Sequence, residues 1–193
     1  MKTGKLQLPV ANILKVLVKL EELLELYPSC KFIYGTWKTM RPSCYLASGN
    51  KSEIGKQVLL ALYPLVVAAQ EIFRSHWPDL YKVYSEFPLH PNERVGVWPQ
   101  AQFLKNISSD WHKDNCNWNS GIQISLVFGY FTGGSLELET GQIVQFSGRA
   151  ELCNYFIFNP WEVRHRALPS TGTRYALQLF AHTAVVNAIQ IKK

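Results

Sequence analysis

GIQISLVFGYF, residues 121–131, decides the fold class. Ile122, Ile124 and Leu126 alternate with Gln123 and Ser125, the two-residue period of a strand with one apolar face. The segments around it continue in kind. VGVWPQAQFLKN (95–106) precedes it; SLELET (135–140), QIVQFS (142–147), LCNYFIFN (152–159), HRALPS (165–170) and RYALQLFAH (174–182) follow, with Gly, Asn or Pro between them. Short strands at roughly ten-residue spacing predict a sandwich or barrel.

Upstream the period changes. PVANILKVLVKLEELLELY, 9–27, places Ile13, Leu14, Leu17, Leu20 and Leu24 on one helical face, between Pro9 at its first turn and Pro28 beyond its end. CKFIYGTWK (30–38) predicts a strand and RPSCYLASGNKS (41–52) a loop. Ser52 opens a second helix over 53–75, which Pro64 bends or interrupts. Residues 76–94 read as a connection with one short helical turn. The expected architecture is mainly β with N-terminal helices (α+β): a helical support region over 1–94 and a β core over 95–193, in one compact domain.

A chain of 193 residues, 47% of them hydrophobic, can bury a core without disulfides or metal staples. Its 12 Gly and 10 Pro, with no long charge run, exclude collagen and a disordered tail. The longest apolar run, Val58–Ala69, is broken by Pro64 and falls short of the roughly 20 residues a span needs, so no membrane partner is expected. Lys15, Lys19, Glu21 and Glu22 break the N-terminal apolar stretch, which does not read as a secretion signal. Cys30, Cys44, Cys116 and Cys153 form no CxxC pair, and reduced thiols in an intracellular compartment, cytoplasmic or nuclear, are expected. Twenty basic against 14 acidic residues give +6, compatible with a nucleic-acid partner, although no run of five basic residues occurs.

Chemistry concentrates in two places. WHKDN, 111–115, sets Asp114 two residues after His112; on a strand both would face one side. His165 follows some 50 residues later, and Arg174 comes nine residues after that. Two His and one carboxylate can occupy one face of an octahedral iron and leave three positions open for a bidentate co-substrate and dioxygen. An arginine nearby could pair with the distal carboxylate of that co-substrate.

These residues resemble the Fe(II)/2-oxoglutarate-dependent dioxygenases. GYFTGGSLEL (129–138) is similar to the Gly-Gly-x-Leu strand between their metal motifs, and HRALPSTGTRYALQLF (165–180) to the signature of prolyl-4-hydroxylase-like members. The likeness covers a little under half the chain, 95–182. It implies a double-stranded β-helix (jelly roll) and Fe(II) held by His112, Asp114 and His165. It also implies 2-oxoglutarate paired with Arg174, dioxygen as oxidant, and hydroxylation of a C–H bond. WHKDN, GYFTGGSLEL and HRALPSTGTRY together also look like compact members of the ten-eleven-translocation/J-binding-protein group, which oxidise the methyl group of thymine or 5-methylcytosine. A modified pyrimidine in nucleic acid is therefore the expected substrate. A protein (prolyl-type) hydroxylase is the alternative, and a catalytically inactive binding module on the same fold is the second. One departure stands out: many members carry Ser or Thr two residues after the arginine, where this chain has Ala176.

Other residues carry weaker expectations. Phe103–Asn106 would form the strand before the metal motif, a place for co-substrate and substrate contacts. Trp111 and Trp118 could stack on a base or cover the metal, and Asn115 and Asn117 could line the substrate entrance. Cys116 reads as a loop cysteine rather than a ligand. Gly133 and Gly134 read as a turn or bulge. His76, His90 and His182 read as surface or packed histidines. Lys105, Arg149, Arg164 and Arg166 are candidates for phosphate contact against the plainer reading of solvated charge.

Overall fold

A computed structural model describes residues 1–38 and 43–190. In chain order the N-terminal half runs β1 (Lys2–Lys5), α1 (Val10–Leu23), β2 (Cys30–Trp37), β3 (Tyr45–Leu46), α2 (Ser48–Lys51), α3 (Glu53–His76) and α4 (Pro78–Ser85). The rest runs β4 (Gln100–Lys105), β5 (Ser109–His112), β6 (Gln123–Gly133), β7 (Leu136–Leu138), β8 (Ile143–Val144), β9 (Cys153–Phe158), β10 (His165–Ala167), β11 (Ser170–Phe180) and α5 (Thr183–Gln190). Two antiparallel sheets result. The larger has the order β1-β9-β6-β11-β4-β2-β3 and the smaller β5-β10-β7-β8. This is the double-stranded β-helix.

The two-residue period decides which side chains face the site. Tyr175, Leu177 and Leu179 of β11 and Ile124, Leu126 and Phe128 of β6 point away from the smaller sheet, into one core with α1 and α3. Val127 of β6 and Ala176 of β11 point the other way and pack with Leu136, Leu138 and Val144 of the smaller sheet. With both faces covered, β6 is buried from Gln123 to Gly129.

The helices follow their sequence signals with some differences. On α1 the buried residues are Ile13, Val16, Leu17 and Leu20, while Leu14 turns outward, so the apolar stripe sits one position around from the expected one. Ser52 caps α3, its hydroxyl accepting the Gly55 N–H at 3.1 Å. Pro64 lies inside α3 without ending it. The carbonyl that Pro64 leaves unbonded belongs to Leu60, whose side chain is 76% exposed, so that turn of the helix faces solvent. On length and composition α3 could cross a membrane, but Val58, Leu62, Leu65, Val66, Ala69 and Phe73 are buried as in a core helix.

Four local expectations need correction. A first strand had no expectation: β1 pairs with β9, while the strand expected over 30–38 forms as β2 and pairs with β4. The 76–94 connection holds the two-turn helix α4 and a 3-10 turn at Pro91–Glu93. The described residues end in α5, whose Val185, Val186 and Ile189 are buried, where only β structure was expected. The loop expected at 41–52 contains β3 and α2, while residues 41 and 42 lie outside the described residues.

Candidate active site

The smaller sheet brings the histidines together. β5 ends on His112, β10 begins on His165, and the two are register partners. Their rings lie 4.3 Å apart, centroid to centroid. Asp114 does not share a strand with His112, because β5 stops at the histidine. Instead the chain turns: the Asp114 N–H donates to the Pro160 carbonyl at 3.0 Å, and the Asp114 carbonyl accepts the Asn117 N–H at 2.8 Å. The turn swings the carboxylate back, so that Oδ1 stands 3.6 Å from His112 Nε2. One ligating atom from each of His112, Asp114 and His165 falls within 4.8 Å of the other two.

Backbone carbonyls set both tautomers. His112 Nδ1 meets the Asp110 carbonyl at 2.7 Å, and His165 Nδ1 meets the Val163 carbonyl at 3.0 Å. A carbonyl only accepts, so each Nδ1 carries the proton and each Nε2 offers a lone pair. Burial holds the His165 pKa below its ordinary 6.5, against the opposing pull of the Val163 carbonyl and Asp114. A neutral imidazole is the form that ligates. Two nitrogens and one carboxylate oxygen on one side fit a divalent transition ion such as iron, with further positions open.

Arg174 rises from the opposite sheet into the same space. It is 5% exposed. Nη1 donates to the Ile107 carbonyl at 3.2 Å, and Nε is buried with no partner. No carboxylate pairs with it among the described residues. Burial lowers its pKa to about 10, which leaves it charged at neutral pH. A buried cation with an unpaired N–H is costly unless an anion arrives, and a dicarboxylate co-substrate fits that need. Two neighbours hold it in place. Asn106, with φ +54°, accepts the Arg174 N–H on Oδ1 at 2.8 Å and donates its own N–H to the Arg174 carbonyl at 2.9 Å. Gly134, with φ +67°, leaves room that a side chain would take: a Cβ there would lie 2.8 Å from Arg174 Cδ.

Between the sheets lies a cavity of about 340 Å³, lined by His112, Asp114, His165 and Arg174 together. All four candidate site residues thus share one space. Gln102, Gln178, Ser125 and Lys31 also line it and carried no expectation. The signal for Gln178 was present, since it continues the Arg174, Ala176 alternation along β11; Gln102 and Lys31 reach the wall only through strand pairing.

Several weaker expectations resolve differently. Lys105 is buried and donates to the Leu24 carbonyl at the end of α1, at 2.8 Å, so it cannot meet a phosphate. Arg166 pairs with Glu137 at 2.6 Å and lies over the Trp111 ring. Arg149 and Arg164 are exposed. Trp118 packs against Tyr84 and Phe87, away from any stacking role. Asn117 is buried and donates to Gln123 at 3.2 Å, while Asn115 and Cys116 are exposed. His182 is packed against Trp37 and Phe180, as one of its two readings held.

No protein-family model matches the sequence, and no curated protein matches it. Among solved structures, the chain is similar to NgTET1 in complex with 5mC DNA, with 18% identity over 94% of this chain and 71% of that one and a TM-score of 0.72. A 2OG-Fe(II) oxygenase-family oxidoreductase from Burkholderia pseudomallei gives 12% identity over 85% and 77% of the two chains, with a TM-score of 0.49. A Pseudomonas putida prolyl-4-hydroxylase gives 15% over 93% and 90%, with a TM-score of 0.45. The first likeness is one of fold; the other two are too distant to carry an argument.

Proposed function

We propose that this chain is an Fe(II)- and 2-oxoglutarate-dependent dioxygenase whose substrate is the methyl group of a modified pyrimidine, 5-methylcytosine or thymine, in nucleic acid. One observation carries the chemistry: a single cavity holds three metal-ligating atoms within 4.8 Å of one another and a buried guanidinium with a free N–H. When bound, Fe(II), 2-oxoglutarate and dioxygen supply hydroxylation of a C–H bond coupled to decarboxylation of the co-substrate to succinate. His112, Asp114 and His165 would hold the metal, at the wall of a cavity with room for the reactants. Arg174 would pair with the distal carboxylate, at a nearly buried position where such a pairing is stronger than in open water. Ala176 adds no hydroxyl, so Arg174 carries this contact without the usual neighbour. Leu104, Val127, Leu136 and Phe156 form an apolar part of the cavity wall.

The substrate assignment draws on two supports: the net charge of +6, and the likeness over 94% of the chain to a protein solved with 5mC DNA. The prolyl-type hydroxylase retains the support of HRALPSTGTRY.

The test is succinate release by Fe(II)-reconstituted protein exposed to oxygen, with duplex DNA carrying 5-methylcytosine or thymine. Turnover stimulated by DNA is expected. His112→Ala should abolish it, and Arg174→Lys should raise the KM for 2-oxoglutarate about tenfold, since a point charge replaces a fork. DNA-independent turnover that is lost with His112 would keep the dioxygenase and move the substrate to protein. Absence of both iron binding and turnover would leave a binding module. A nucleic-acid substrate also requires binding that weakens steeply with salt.

A further inference from the structure

On the sheet opposite the histidines, Gln102 of β4 and Gln178 of β11 are register partners, and Gln102 Nε2 donates to Gln178 Oε1 at 2.7 Å. Both side chains line the cavity, on the face that also carries Arg174 and Ala176. Their mutual bond uses one N–H and one oxygen. Gln178 Nε2 and Gln102 Oε1 find no protein partner among the described residues. A donor and an acceptor therefore stand side by side, held in fixed rotamers by the bond between them.

We propose that this amide pair reads the hydrogen-bonding edge of the pyrimidine, with Gln178 donating and Gln102 accepting. The proposal rests on the nucleic-acid reading above and names the residues that recognise the base. Three observations support it. First, Gln178 lies four residues beyond Arg174 on the same strand face, about 13 Å along the strand at ~3.3 Å per residue. That spacing along the strand separates the amide pair from the guanidinium that would hold the anionic co-substrate. Second, the pair is neutral, so what it meets is a neutral group offering both acceptor and donor. Cytosine offers N3 beside its amino group, and thymine offers a carbonyl beside N3–H. Third, a prolyl ring offers no N–H, and burying it here would leave amide atoms without hydrogen-bond partners. An amide accepts either pyrimidine because it carries both functions.

The experiment measures fluorescence anisotropy of labelled oligonucleotides with protein loaded with Fe(II) and 2-oxoglutarate and kept anaerobic. One oligonucleotide carries a single 5-methylcytosine, and a second carries an abasic site at that position. Gln178→Glu keeps the oxygen that Gln102 bonds, and the volume, but removes the outward donor. Gln102→Met removes the acceptor, and thermal unfolding checks each variant. The near-isosteric Gln178→Glu preserves the test if the Met variant does not fold.

Wild-type protein should bind the methylcytosine oligonucleotide at least tenfold more tightly than the abasic one, and both variants should erase most of that ratio. A wild-type ratio near one overturns the proposal. So does a ratio unchanged in the variants, or an equal or greater loss of 2-oxoglutarate affinity, which would make these residues co-substrate ligands. So too does succinate release driven by a proline-containing peptide whose KM neither variant alters. Failure of the dioxygenase reading is seen separately, as absence of Fe(II)-dependent succinate release by the wild-type protein.

Discussion

The unpaired Nε of Arg174 and the Nε2 atoms of His112 and His165 point to the same conclusion: groups held ready for partners that the polypeptide does not supply. The sequence already put His112, Asp114, His165 and Arg174 together, because their types and spacing are those a metal and an anionic co-substrate require. It did not place Asp114, which reaches the histidine through a turn bonded to Pro160, a contact across 46 residues of chain that no local period encodes. Lys105 was misjudged for a related reason: charge type is visible in a sequence, and burial is not. A different residue sets a pH dependence. Burial lowers the His182 pKa to about 4, against an ordinary 6.5. Below pH 6.5 the unfolded chain gains a proton that the folded chain refuses until about pH 4. The stability held by neutral His182 is therefore full above 6.5 and drains as pH falls toward 4, by on the order of 2 kcal/mol. Denaturant unfolding from pH 7.5 to 4 should show this acid-side slope, and His182→Leu should flatten it.

At the scale of elements, strands were more legible than their connections. Alternation in 121–131 is a local property, and β6 follows it. The turn at Gly133 and Gly134 was also visible, but its purpose was not: Gly134 clears the path of the Arg174 side chain from the neighbouring strand. Gly134→Ala should cost about 1–2 kcal/mol from its positive φ alone, and it should also raise the KM for 2-oxoglutarate by shifting Arg174. A loss of stability with an unchanged KM would show that Arg174 does not depend on that space. The end of α1 is held by Lys105, whose ammonium sits on the Leu24 carbonyl. Lys105→Met should destabilise the fold by roughly 1–3 kcal/mol, because a buried carbonyl loses its donor. If the chain binds nucleic acid as proposed, the salt dependence of that binding should be unchanged in the variant; a shallower slope would return Lys105 to the phosphate-contacting set.

For the whole molecule, the candidate site joins the two sheets, with His112 and His165 on the smaller, Asp114 on the turn that follows β5, and the Arg174 guanidinium on the larger. A metal that binds only the folded chain should stabilise all of it. At a hundred times its Kd, a non-redox surrogate such as Mn(II) should add about 2.7 kcal/mol, a rise of roughly 5–10 °C in unfolding temperature, which EDTA reverses and His112→Ala abolishes. An equal rise in His112→Ala would place the metal elsewhere. By itself the sequence determined the β character of 95–182, the two long helices and which four residues are candidates for the site, because periodicity and ligand chemistry are written in residue type and spacing. The tertiary structure alone decided that β1 and β2 complete the larger sheet, that Asp114 reaches its histidine through a turn, and that Gln102 meets Gln178 in the cavity wall. Each of these depends on which distant segments pair across a sheet, and pairing is fixed by packing the whole chain at once.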